Sequence, residues 1–218
     1  MNADHYEEGE TVGRLVVSMQ MSLDGCVGSD VAGSRWQLWD WGPDWPWTPD
    51  VRERFNELFA SASGILLSRP MISEGYLDHW RGTAQQHPDD PDYAFAARIG
   101  RLPKVVVTRH ALTTPWPGTT VITGDLAEAV RQAKQVTGGD LVCFGGAGFV
   151  AALLDHGLVD ELQLYLNPGI AGHGPRIFGD ALAAGRLTLL DATPTDCGIV
   201  ITRWRPPDRH PEPVQGDR

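Results

Sequence analysis

LVCFGGAGFVAALL, residues 141–154, is the stretch whose reading decides the fold. An apolar run leads directly into Gly145-Gly146-Ala147-Gly148, and a helical pattern starts at once and ends at Gly157. A short apolar run closed by glycines predicts a buried strand, and the sequence after it predicts a helix with a glycine stop. Glycines lack a Cβ, so backbone N–H groups can approach an anion closely, and a helix N-terminus adds about half a positive charge. A pyrophosphate requires such a place. The spacing is not GxGxxG, however, and no acidic residue follows about 20 positions on at a strand end. Taken alone, the turn reads first as tight packing.

The flanks repeat the strand–helix alternation. Upstream, RLVVSMQMSLDG (14–25) is an apolar run closed by Asp-Gly, a strand entering a turn. TPDVRERFNELFASA predicts a helix with Thr48 as N-cap and Pro49 in the first turn, followed by Val51, Phe55, Leu58 and Phe59 at helical spacing. GILLS (64–68), KVVVTR (104–109) and TTVIT (119–123) are strands, and residues 70–92 are expected to be irregular before a short helix in DPDYAFAARIG. DLAEAVRQAKQV (125–136) is an amphipathic helix capped by Asp125. Downstream, VDELQLYLNPGI is a longer strand, and RLTLLDATPTDCGIVITRWR reads as an antiparallel hairpin. The prediction is one α/β domain over residues 14–205, with a mixed, mainly parallel sheet flanked by helices and a C-terminal antiparallel hairpin. Residues 1–13 and 206–218 are expected to be flexible tails.

Bulk properties narrow the function. The chain has 218 residues and a net charge of −10, part of it from Asp4, Glu7, Glu8 and Glu10 near the start. An acidic chain without a basic run does not suit nucleic acid, which needs clustered Lys and Arg. No apolar stretch reaches the roughly 20 residues that span a bilayer, and the start lacks a signal-peptide pattern. Cys26, Cys143 and Cys197 are widely spaced without a CxxC pair, which fits free thiols in a cytoplasmic protein. No histidine pair has metal spacing, so no metal site is expected.

WQLWDWGPDWPW, residues 36–47, concentrates Trp36, Trp39, Trp41, Trp45 and Trp47 before the first helix. Indole surface in a loop suits a local core, a docking face or the wall of a site for a flat ligand. Trp36, Trp39 and Trp41 are expected to pack the loop onto the domain or a second subunit, and Trp45 and Trp47 to stack on a planar substrate.

FGGAGFVAALLDHGLVDELQLYLNPGIAGHGPRIF, together with MSLDGCVG near the N-terminus, resembles the dihydrofolate reductase-like family. The nearer branch is that of the reductase domain of bifunctional riboflavin-biosynthesis deaminase–reductases, and the resemblance covers residues 14–204. The deaminase half has no counterpart, since an H-x-E with a downstream P-C-x-x-C is missing. The resemblance implies hydride transfer from NADPH to a small heterocyclic or pteridine-like substrate in a cytoplasmic homodimer. It places Gly145, Gly146, Ala147 and Gly148 at the pyrophosphate, and Thr108 and Arg109 at the adenosine 2′-phosphate. The main chain of Gln20, Val27 and Gly28 would flank the nicotinamide. One site departs from the family's Gly-Arg-x-Thr: here it reads Ser68-Arg69-Pro70-Met71, where Pro70 has no amide donor but Arg69 is retained. Asp50 and Asn167 are the candidate catalytic residues. Asp24 in SLDG reads instead as a turn residue bonding its own backbone. Asp160 and Glu161 read as solvated or as helix-exit residues. The alternative function is a non-reducing member that binds a flat aromatic ligand or a flavin.

Overall fold

Strand formation follows the apolar runs closely. A computed structural model of the chain describes residues 13–34, 47–73, 75–109, 112, 116–179 and 185–207. In chain order these form β1 (Leu15–Met21), α1 (Pro49–Ser61), β2 (Gly64–Ser68), α2 (Arg69–Ser73), α3 (Tyr76–Gln86) and, after a 3-10 turn at Pro91–Tyr93, α4 (Ala94–Arg101). Then come β3 (Lys104–Thr108), β4 (Thr119–Thr123), α5 (Leu126–Thr137), β5 (Leu141–Cys143), α6 (Ala147–Asp155), β6 (Glu161–Leu166), β7 (Thr188–Pro194) and β8 (Val200–Arg205). The expected tails fall almost wholly outside the described residues.

One sheet results, in the order β4-β3-β2-β5-β1-β6-β8-β7. The first six strands of that order run parallel, and β8 is antiparallel to both β6 and β7. Parallel strands put their carboxyl ends on a single edge, where ligands of open α/β sheets bind. Alternation along β1 divides the core in two. Val16 packs with Phe55, Phe59, Trp80 and Phe95 beneath α1, α3 and α4. Leu15, Val17 and Met19 pack with Val130, Val150 and Leu153 beneath α5 and α6.

Two local expectations are corrected, and a third, Thr48 as N-cap of α1, holds in position without the side-chain bond. Residues 70–92 are largely helical: Pro70 sits in the first turn of α2, where its missing N–H costs nothing, and α3 buries Tyr76, Leu77, Trp80 and Thr83 along one stripe. Thr48 occupies the N-cap position of α1 without a side-chain cap bond, and the Asp50 carboxylate accepts the Val51 amide at 3.0 Å instead. Asp160 and Glu161 are not idle surface charges. Asp160 accepts the Leu15 amide at 2.6 Å and the Lys134 ammonium at 2.5 Å. Glu161 is buried and binds the Arg203 guanidinium at 2.6 and 3.1 Å and Arg14 at 3.2 Å, which joins β1, β6 and β8 at the amino edge. The Asp125 cap of α5 forms as expected, accepting from Ala127 and Glu128.

Candidate functional site

On the face of β1 that carries Val16, the next two positions are Ser18 and Gln20, paired in register with Gln163 and Tyr165. A cavity of about 430 Å³ lies over them at the carboxyl end of the sheet. Tyr165 of β6, Trp47 just before α1, and Phe55 of α1 form one side. Met71 of α2 with Tyr76 and Trp80 of α3 form another, and Phe144-Gly145-Gly146 close it. Trp47 is 3% exposed and lies parallel to Tyr165, with ring centres 5.9 Å apart and planes 7° apart. Phe55 meets Trp47 edge-on at 5.1 Å. No charged side chain is among the described lining residues. Burial raises the Tyr76 and Tyr165 hydroxyls well above the usual phenol range, so both stay neutral.

Gln20 lines this cavity, and its main chain is paired to β6 but not to β5, whose pairing with β1 stops at Val17. Its Oε1 accepts from Asn167 Nδ2 at 3.0 Å, and the same Nδ2 donates to the Tyr165 carbonyl at 3.1 Å. Asn167 is fully buried and does not line the cavity, so its geometry is that of a support for Gln20. Among the described residues, Gln20 Nε2 is buried without an acceptor.

The glycine turn forms the boundary between cavity and α6. Gly145 has φ +131°, a left-handed region that suits glycine, and sits against the Met19 thioether. Gly146 is the N-cap of α6 at φ −66° and ψ 169°, and its amide donates to Ser68 Oγ at 3.1 Å. A Cβ at Gly146 or Gly148 would meet nothing within 4 Å. The amides of Ala147 and Gly148 belong to the first turn, where helices have no internal acceptor for them. Neighbouring strand ends bring up Ser68 and Arg69 from β2, and Thr108 and Arg109 from β3; both arginines are exposed.

Other expected residues lie elsewhere. Val27 donates its amide to the Pro175 carbonyl at 2.8 Å, and Gly28 is so close under Pro175 that a Cβ would meet its ring at 2.9 Å. Asp24 holds that loop as well as its own backbone. It accepts from the Ser22 hydroxyl at 2.6 Å and from the Ala171 and Gly172 amides at 3.0 and 2.9 Å, which brings its carboxyl down to about 2. The structure does not bring Asp50 to the cavity. Its carboxylate is engaged by the Val51 amide and, at 2.8 Å, by the Asp196 amide of the hairpin turn. Trp45, with Trp36, Trp39 and Trp41, lies outside the described residues. Among the described residues no group of His, Cys, Asp and Glu is placed to hold a metal ion.

The cavity residues not anticipated are Ser18, Phe55, Met71, Tyr76, Trp80, Phe144 and Tyr165. Ser18 and Gln20 carried a signal, since both interrupt the apolar side of a buried strand. The aromatic walls carried none, because a ring on a helix stripe reads as core.

Comparison with known proteins places the chain. The sequence model of the RibD C-terminal domain matches residues 14–201. An uncharacterized protein, YyaP of Bacillus subtilis, is 29% identical over 85 residues, which span 38% of this chain and 45% of YyaP, less than half its length. Among solved structures, a putative riboflavin biosynthesis protein from Shewanella sp. PV-4 superposes with a TM-score of 0.62 at 17% identity, covering 89% of this chain and 99% of its own. A diaminohydroxyphosphoribosylaminopyrimidine deaminase/5-amino-6-(5-phosphoribosylamino)uracil reductase from Thermotoga maritima gives 0.58 at 16% identity, over 89% of this chain and 56% of its own. The riboflavin biosynthesis reductase Rib7 of Saccharomyces cerevisiae gives 0.56 at 16% identity, over 90% of both chains. At these identities the superpositions show the fold.

Proposed function

The chain belongs to the RibD C-terminal domain family, and on that premise we propose that it is an NADPH-dependent reductase that transfers hydride to a small planar heterocyclic or pteridine-like substrate. Membership implies an oxidoreductase. One observation carries the finer assignment: the aromatic cavity ends on the Gly145-Gly146 turn, at the sheet edge where Arg69 and Arg109 emerge from adjacent strands.

The residues present fit the cofactor. The space over Gly146 and Gly148 accepts a pyrophosphate, with the Ala147 and Gly148 amides as donors and the helix end as a partial positive charge. Thr108 and Arg109 suit a 2′-phosphate, since a guanidinium fork matches phosphate geometry. When bound, NADPH supplies the hydride. The protein's own part is to hold a flat ring between aromatic walls and to exclude water from it. Asp50 and Asn167 serve as a brace for the hairpin turn and a support for Gln20, respectively. No carboxylate or imidazole lines the cavity among the described residues.

Titration with NADPH, NADH and FMN tests the assignment, followed by quenching of tryptophan fluorescence, to which Trp47 and Trp80 of the cavity wall contribute. Saturation by NADPH in the micromolar range is expected, and no saturation up to millimolar NADPH refutes the reductase. A second function, binding a flat aromatic ligand or flavin without reduction, is favoured by the Ser68-Arg69-Pro70-Met71 site. There Ser68 already occupies the Gly146 amide, and Met71 is buried against the cavity. Saturation by FMN without NADPH binding would select it.

We also infer a cytoplasmic homodimer. The three cysteines are free thiols, which suits a reducing compartment. The edge strand β7 exposes Leu189 at 51% and Leu190 at 38%, apolar surface suited to a second copy. Light scattering that returned a monomer mass would refute the dimer. Among the described residues no helix is long and apolar enough to cross a membrane.

A further inference from the structure

We propose that the cavity takes an uncharged, flat, conjugated ring with a hydrogen-bond acceptor on its edge, engaged by Gln20 Nε2, and rejects phosphorylated sugar–pyrimidine ligands. That the ring is reduced rests on the reductase assignment above; that it binds does not.

The charge distribution comes first. Among the described lining residues there is no Lys, Arg or His, and the only side chains with hydrogen-bonding groups are Ser18, Gln20, the two tyrosines and the two tryptophans. A phosphate monoester carries between one and two negative charges near neutral pH and is held by guanidinium, ammonium or clustered amides. An anion enclosed by Trp47, Phe55, Tyr76, Trp80, Phe144 and Tyr165 would lose its hydration without a replacement. The exposed Arg69 and Arg109 stand at the ends of β2 and β3, on the far side of β5 from β1 and β6, which carry Gln20 and Tyr165. They serve the cofactor end and not this cavity.

The polarity of Gln20 follows from its neighbours. The Tyr165 carbonyl can only accept, so the side of Asn167 facing it must be the Nδ2 donor. The same Nδ2 lies 3.0 Å from Gln20, so the Gln20 atom facing it must be Oε1. Two amides are thus oriented in series by one backbone carbonyl, and the atom left over on Gln20 is a donor. Among the described residues that donor is buried without an acceptor, on a residue that lines the cavity. Buried donors are normally paired, and a ring carbonyl or ring nitrogen at the cavity edge would pair this one. The parallel planes of Trp47 and Tyr165 set the orientation in which a flat ring lies.

Equilibrium dialysis of the purified full chain, without added cofactor, tests this with quinazolin-4-one, coumarin and lumichrome against uridine 5′-monophosphate and FMN. At least one neutral ring is expected to bind in the micromolar range, uridine monophosphate not at all, and FMN at least tenfold more weakly than lumichrome. Gln20→Met removes the donor at similar length and should weaken the carbonyl-bearing ring about tenfold, while naphthalene, which has no acceptor, changes by less than about twofold. Gln20→Glu keeps an acceptor for Asn167 but turns the remaining atom into a second acceptor, and should weaken the same ring at least as much. Failure of all three neutral rings overturns the proposal, as does a phosphorylated ligand that binds as tightly as its neutral counterpart. So does an equal loss of naphthalene and carbonyl ring in both variants. A protein that binds NADPH and none of the rings refutes this inference alone. One that binds the rings through Gln20 but not NADPH refutes the reductase alone.

Discussion

Gly146→Asp should separate stability from cofactor binding, because the two respond with opposite signs. Gly146 is the N-cap of α6 at φ −66° and ψ 169°, a conformation open to any residue, and a Cβ there meets nothing within 4 Å. Aspartate is among the preferred N-caps, and exchanging it with glycine is worth a few tenths of a kcal/mol in favour of the acid. The variant should therefore melt at or slightly above the parent temperature. A carboxylate at that place would stand about 5 Å from a pyrophosphate over the turn. At an effective dielectric constant near 20 each unit-charge pair then repels by about 3 kcal/mol, about two orders of magnitude in Kd. Gly146→Ser adds similar bulk without charge and should lose less than about fivefold. Fluorescence titration of NADPH against parent, Ser and Asp proteins reads the difference, and added salt should narrow it. Equal Kd values for the Ser and Asp variants, with both folded, would refute the placement of the pyrophosphate.

Lys104 is buried, and its amine is held down to about 8, by desolvation first and the Arg81 charge second. The unfolded value is near 10.4, so the unfolded chain binds more protons between about pH 8 and 10.4, and stability from this group grows with pH across that window. Lys104→Met should flatten the rise, and parallel melting curves for parent and variant would exclude it. The Asp24 carboxyl, at about 2, stabilises the fold above the usual carboxylate range and loses that effect as pH falls through about 2. Asp24→Asn should lower stability at neutral pH and show a shallower acid decline by circular dichroism; an unchanged acid limb would show that the bonds to Ala171 and Gly172 contribute nothing. Phe55→Ala removes a ring in edge contact with Phe59 at 5.1 Å and Phe95 at 5.0 Å. A loss near 3 kcal/mol is expected in urea unfolding, at the low end for such a change because one side of the ring already borders the cavity. A loss under about 1 kcal/mol would mean that the cluster collapses around the gap.

The centre of the sheet was legible because β1, β2, β3, β5 and β6 are short apolar runs buried on both faces, whereas β4 and β7 at the two edges are largely exposed. Glycine stops and the Asp125 cap marked two helices for equally local reasons. Residues 70–92 were not legible, since Pro70 reads as a breaker until the chain is known to turn into a helix there, and the α3 stripe Tyr76, Leu77, Trp80 and Thr83 mixes polar with aromatic residues. The glycine turn, Gln20 and Trp47 stood out in the sequence, and the structure brings Gly145, Gly146, Gln20 and Trp47 to one cavity. For Asp50 the sequence does not distinguish an acid that faces a ligand from one that accepts the Asp196 amide, because both look the same in the first turn of a helix. That distinction depends on where the hairpin turn packs, a contact 146 residues away in sequence.

The cavity and the glycine turn have one cause. Across the sheet face beneath α1 and α3, the positions Val16, Ile65, Leu67, Val106 and Val142 are filled by apolar side chains. Toward the carboxyl edge the same face changes to Ser18, Gln20, Gly145 and Gly146, and side-chain volume falls away just as the strands end. The aromatic rings of α1 and α3 are too large and too fixed by their mutual contacts to fill the gap, so about 430 Å³ remains. Removing side chains there opens space for a ring on one side of β5 and leaves the backbone amides of α6 accessible on the other. Hydride transfer needs donor and acceptor in direct contact, so under the proposed function the nicotinamide would have to enter the cavity beside the flat ring, with the pyrophosphate held over the Gly145-Gly146 turn that borders it.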